Sequence, residues 1–215
     1  MPLWVELVAA RKIVGDCEKD MKPKCRVLAI SGSLRSVSSN AKVLRVASAL
    51  AREDISILIY SGLSTIPPFN PDLDVEPAPT AVADLRMRLR ECDAVLISSP
   101  EYAHGIPGVL KNALDWTVSS GELYGKPVAL FNTSPRATFA QAALAETLTI
   151  MGARLISQLC ISMPMVDGEV DEHTLLLHSV AASAVRDVLI KLVNASSLSS
   201  EDGLNTTRKG STENH

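Results

Sequence analysis

The chain has 215 residues, with 21 basic against 24 acidic side chains and a net charge of -3. That length fits one domain with a full core, and 47% apolar with 21% charged residues is the balance of a globular protein. The mild acidity excludes a broad nucleic-acid footprint, and no run approaches the roughly 20 apolar residues of a membrane span.

The N-terminus, Met1 to Leu7, is weakly apolar, carries Glu6 early and has no basic start, so it does not read as a signal peptide. Met21-Lys22-Pro23-Lys24 is a second plausible chain start, which makes residues 1–22 an N-terminal extension. The expected domain spans residues 23–195. Residues 196–215 are rich in Ser, Asn, Thr and Gly and are expected to be a disordered tail. Cys17, Cys25, Cys92 and Cys160 form no CxxC pair and no Cys/His cluster. They read as reduced thiols of a cytoplasmic protein, and no metal site is expected.

Five apolar runs read as strands: Arg26 to Ser31, Ile55 to Tyr60, Ala94 to Ser99, Pro127 to Asn132 and Arg154 to Ile161. Most are continuous rather than alternating, as in a sheet covered on both faces. Helical patterns follow them. Ser39 to Arg52 gathers Val43, Leu44, Ala47, Leu50 and Ala51 on one face, and Thr80 to Glu91 does so with Val82, Leu85 and Leu89. Pro107 to Val118, Thr138 to Met151 and Asp171 to Val193 complete the set. Gly152 reads as a helix end and Asp167-Gly168 as a turn. Alternation of this kind predicts an α/β three-layer sandwich around a five-stranded parallel sheet, wound in the order 2-1-3-4-5. In such sheets ligands bind beyond the strand ends, where the winding reverses, between the first and third strands.

The loops after those two strands carry the chemistry. Ser31 to Asn40 holds Gly32 for a tight turn, the hydroxyls of Ser33, Ser36, Ser38 and Ser39, and the charged fork of Arg35. A helix opening near Asn40 would add free amides. One serine in that place is ordinarily a cap. This density of donors with an arginine favours an anion, since a hydrogen bond to a charged group contributes about 1.5–3 kcal/mol. The chain has neither GxGxxG nor GxxxxGK[ST], so the two common nucleotide loops are absent. The second loop is Pro100-Glu101-Tyr102, with Gly105 for close approach and Pro107 in the first turn of a helix. Tyr102 can stack on a planar ligand. Glu101 can be read as a general base. His104 either covers a ligand edge or is an exposed loop residue. Trp116 reads as core or subunit interface, and Lys111 with Asp115 as a surface pair.

Four segments of the chain resemble the NADPH-dependent FMN reductase family of flavodoxin-like proteins, which includes quinone, chromate and azo-dye reductases. They are Gly32-Ser33-Leu34-Arg35 with Ser38 and Asn40, Leu63 to Leu73, Pro100-Glu101-Tyr102 through Trp116, and Thr133-Ser134. The resemblance implies non-covalent FMN, with its phosphate held by Ser33, Arg35, Ser38, Ser39 and Asn40. It implies an isoalloxazine ring lined by Pro100, Glu101, Tyr102, Ala103 and His104 and closed on the other side by Ser134. It also implies hydride from NADPH, with NADH possible, passed to a small-molecule acceptor such as a quinone. No side chain acts as catalytic acid or base in such a scheme. A homodimer or homotetramer is implied, with the Asn70 to Pro79 loop at the interface. The alternative is a flavin-binding electron carrier or sensor without NAD(P)H oxidation of its own, and a third reading is a scaffold that has lost the flavin. Two positions depart from the family pattern. Ala103 stands where an asparagine is common, and Pro135 to Ala140 lacks the usual pair of glycines, which would narrow the nicotinamide site. Arg136 is a candidate partner for the extra phosphate of NADPH.

Overall fold

The computed structural model describes residues 24–160, 165–166, 169–170 and 172–209. Residues 1–22, read as an extension, and the Asp167-Gly168 turn lie outside the described residues. Five parallel strands form the sheet: β1 (Cys25–Ser31), β2 (Ile55–Tyr60), β3 (Ala94–Ser98), β4 (Pro127–Asn132) and β5 (Arg154–Cys160). Their order is β2-β1-β3-β4-β5, and every pairing in the sheet is parallel. A short antiparallel pair, β6 (Met165–Val166) and β7 (Glu169–Val170), stands apart from it and was not foreseen from the sequence.

Side chains alternate along each central strand, and the two faces collect separate apolar cores. Leu28, Ile30, Val95, Ile97, Val128 and Leu130 point to one side. There they meet α2 (Thr80–Glu91), α3 (Gly108–Asp115) and α4 (Thr138–Ile150). Cys25, Val27, Ala29, Ala94, Leu96, Ala129 and Phe131 point to the other. They meet α1 (Ser39–Leu50), α5 (Glu172–Leu177) and α6 (Ser179–Lys209). Both faces of β3 and β4 are therefore buried, which is why those runs are apolar without alternation. The Cys25 and Cys92 thiols are free and buried, and burial pushes both above their ordinary value.

Several helix boundaries differ from expectation. The last helical pattern is broken at His178, whose Nδ1 accepts from the Ala181 amide and so caps the start of α6. α6 then continues to Lys209, through much of the stretch expected to be a disordered tail. Leu192, Ala195 and Ser196 are buried there, so the helix keeps an inward face beyond Val193. α3 runs from Gly108 to Asp115 rather than from Pro107 to Val118, and Pro107 is its N-cap. Gly152 ends α4 as expected. Its φ is +75, and the Ala153 amide reaches back to the Leu148 carbonyl.

The connection from β2 to α2 is pinned rather than loose. Asn112 and the Trp116 indole both donate to the Pro67 carbonyl, each at 2.9 Å, and Phe69 packs edge-on to Trp116 at 5.1 Å. Trp116 is fully buried and belongs to the core, which decides between the two readings of that residue.

Candidate functional site

The register places the ends of β1, β3 and β4 side by side, Ser31 beside Ser98 and Ser98 beside Phe131. The loops that leave them share one edge of the sheet. The Gly32 amide donates to the Ser98 carbonyl at 2.8 Å, joining the first loop to the end of the third strand. A Cβ on Gly32 would lie 2.8 Å from Ser99 Oγ and 3.1 Å from Leu110 Cδ2, so only glycine lets the two loops come this close.

In the first loop the hydroxyls act first on the backbone. Ser33 Oγ accepts from the Arg35 amide, and Ser38 Oγ, the N-cap of α1, accepts from the Ala41 amide. The capping reading is thus correct for Ser38. Capping uses the oxygen and leaves each hydroxyl hydrogen to donate. The Ser39 and Asn40 amides, in the first turn of α1, have no acceptor among the described residues. The Arg35 guanidinium is exposed and likewise has no partner among them. Two hydroxyls, two amides, a helix terminus and an arginine suit a phosphate monoester. Asn40 is different. It is buried, and its Oδ1 accepts from Ser98 Oγ at 2.8 Å and Thr133 Oγ1 at 3.4 Å. Its side chain ties the three loops together. Ser98 and Thr133 were missed as partners because hydroxyls at strand ends carry no sequence signal of their own.

The third-strand loop makes a tight reversal. Tyr102 and Gly105 exchange both backbone hydrogen bonds, at 3.1 and 2.9 Å. Ala103 and His104 between them have φ of 50 and 59, the left-handed pair of a type I′ turn. The sequence reading assigned no left-handed residue in this loop and gave Gly105 for close approach. A Cβ there would meet nothing nearer than 3.5 Å, and the strain falls instead on two residues that carry side chains. An Ala103→Gly substitution is therefore expected to stabilise the protein by about 0.5–1 kcal/mol in urea unfolding. A loss of stability would contradict the turn assignment.

Glu101 is committed elsewhere. Its Oε2 accepts from the Ala140 amide at 2.9 Å, in the first turn of α4. The N-cap residue of α4, Ala137, has no side chain that could do this. The carboxylate thus caps a helix from another loop and meets its positive end. That gives Glu101 a structural role as a cap. Glu101→Ala is expected to cost about 1 kcal/mol in urea unfolding, and Glu101→Gln less, since its amide oxygen can still accept. Equal and negligible effects would show that the cap is idle.

Around Pro100 the chain is half-buried, and Tyr102 offers a ring that is 51% exposed. Ser134 sits in the loop after β4, its amide donating to Asn132 Oδ1 and its Oγ accepting from the Arg136 backbone amide. Asn132 also donates to the Ala137 carbonyl, so one buried amide shapes the whole fourth loop. Arg136 is exposed. His104 stacks on Phe139, with centroids 4.3 Å apart and planes 12° from parallel. A shallow depression lined by Ser179, Val180, Ser183, Ala184 and Asp187 lies on α6, among residues outside this edge.

The family model for NADPH-dependent FMN reductase matches residues 25–167. The chain belongs to that family. It is 40% identical over 116 residues to an NAD(P)H-dependent FMN reductase of Pseudomonas aeruginosa, covering 53% of this chain and 62% of that protein. It is 38% identical over 117 residues to an NADPH:quinone oxidoreductase of Arabidopsis thaliana, covering 53% and 60%. The chain thus spans about three-fifths of the length of these curated relatives. Its fold superposes on the flavoenzyme NAD(P)H:(acceptor) oxidoreductase of Paracoccus denitrificans with a TM-score of 0.62 and 31% identity, covering 79% of this chain and 97% of that one.

Proposed function

We propose that the protein is an NAD(P)H-dependent oxidoreductase that holds FMN at this edge and passes hydride from NADPH, or NADH, to a small-molecule acceptor such as a quinone. The observation that carries the reading is the joining of a phosphate-type loop and a flat, aromatic loop at the Gly32–Ser98 contact. The donor set fits the group. Ser33, Ser38 and Arg35, with the Ser39 and Asn40 amides, would hold the phosphate, and Asn40 keeps that loop against the ring side. Pro100 to His104 would line the ring, with Ser134 opposite. FMN bound there supplies a two-electron acceptor for nicotinamide hydride and a donor to the second substrate. The chain's own part is to bind, orient and shield. Glu101 holds α4 in place and moves no proton.

We further propose a cytoplasmic homodimer or homotetramer. Leu73 and Val75 flank Asp74, which is bonded to Ser119 beside Val118, and all three apolar side chains are at least 49% exposed. Light scattering on the purified protein gives the mass directly, and a monomer at micromolar concentration would end this part of the proposal.

The deciding experiment is anaerobic mixing of the FMN-loaded protein with NADPH. Loss of the oxidised flavin absorbance is expected, followed by its return when a quinone is added. A protein that takes up FMN but keeps its colour with both nicotinamides would be a carrier or sensor. One that takes up no FMN would be neither.

A further inference from the structure

His104 and Phe139 lie 35 residues apart, one in the third-strand loop and the other in the first turn of α4, yet their rings are stacked nearly parallel. Neither belongs to the core. His104 is exposed, and Phe139 is 56% exposed although it is a large apolar side chain in the first turn of α4. The backbone beneath the stack is fixed from both sides. Glu101 holds the Ala140 amide, and the Tyr102–Gly105 exchange holds the reversal that carries His104. The left-handed backbone at Ala103 and His104 is costly, and it aims the imidazole at the phenyl face. The backbones are thus locked while the outer rings can turn about their own side-chain bonds.

We propose that Phe139 is a stacking platform for the planar electron acceptor, with His104 covering it until the acceptor arrives. This rests on the function proposed above. A flat ring at the centroid spacing of the present pair would take the place of the imidazole without any backbone movement, because His104 can swing outward into solvent. The platform makes Phe139 a specificity residue. It favours acceptors with an aromatic or quinonoid plane and gives nothing to acceptors that have none.

The test compares 1,4-naphthoquinone with ferricyanide, an inorganic acceptor with no ring to stack. In Phe139→Leu the KM for naphthoquinone is expected to rise about three- to ten-fold relative to that for ferricyanide, the range of one aromatic pair. In Phe139→Tyr, which keeps the ring, the ratio should stay near the wild-type value, and in His104→Ala it should fall. Equal changes for both acceptors in Phe139→Leu would overturn the proposal. A second readout needs no turnover. When oxidised naphthoquinone is titrated into the FMN-loaded protein, the His104 imidazole proton signals should move downfield as that ring leaves the phenyl face. Signals that stay in place at saturation would overturn the platform while leaving the proposed function intact. A wild-type protein that took up no FMN would overturn both.

Discussion

Arg86→Ala is expected to destabilise the fold by about 3–5 kcal/mol in urea unfolding, the largest effect of any single replacement considered. Arg86 and Asp74 have side chains only 7% and 10% exposed. The guanidinium donates to Asp74 Oδ1 at 2.6 Å, and two of its nitrogens donate to the Trp116 carbonyl. Ser119 completes the cluster by donating to Asp74 Oδ2. Removing the arginine leaves a buried carboxylate and a buried carbonyl without their donors, and desolvation makes that far worse than losing a surface pair. The same cluster gives a sign for acid. The Ser119 hydroxyl first, and Arg86 second, hold the Asp74 carboxyl below its ordinary 3.8. The stabilisation is therefore complete above that value and is lost as pH falls below it through the folded-state pKa. Asp74→Asn should flatten that part of the stability profile. The double variant Arg86→Met, Asp74→Leu should recover the part of the loss that comes from the unpaired carboxylate, while the Trp116 carbonyl stays without its donors. A change below about 1 kcal/mol for Arg86→Ala would mean that the cluster is open to water.

Arg35→Ala is expected to weaken FMN binding about ten- to a hundred-fold, measured by quenching of flavin fluorescence. Arg35 is exposed in the loop that carries Ser33 and Ser38 and leads into α1, and its guanidinium has no competing partner among the described residues. Riboflavin supplies the control, because it lacks the phosphate. Its affinity should barely move in the variant. A parallel loss for FMN and riboflavin would place Arg35 on the ring rather than the phosphate.

Much of this molecule can be read from its amino acids because the relevant physics is local or periodic. The continuous apolar runs at Ala94 and Pro127 and the amphipathic pattern at Ser39 to Arg52 each reflect burial on known faces, and chirality then leaves few ways to wind them. The strand order and the pairing of the first and third loops follow. Ser38 as a helix cap is equally local. Gly32 was legible only as a turn residue, because the close approach that requires it is to Ser99 and Leu110, far along the chain. The role of Glu101 was not legible. A carboxylate in a loop is equally consistent with a base, a solvated charge or a cap, and the α4 amide it serves lies 39 residues away. The strain at Ala103 was hidden for a related reason. Alanine has no preference for the left-handed region, so only the reciprocal Tyr102–Gly105 bonds reveal that the chain must enter it. Arg86 gave a charge in a helix and no sign that it is buried.

Periodicity, chain reversal and helix capping operate over a few residues, so the amino-acid order alone determined the layers, the winding and the place where the loops converge. Whether a charged or aromatic side chain caps, pairs, stacks or stands free depends on what meets it from distant parts of the chain. That was decided only when the sheet brought Asn40 to Ser98 and Thr133, Glu101 to Ala140, and His104 to Phe139.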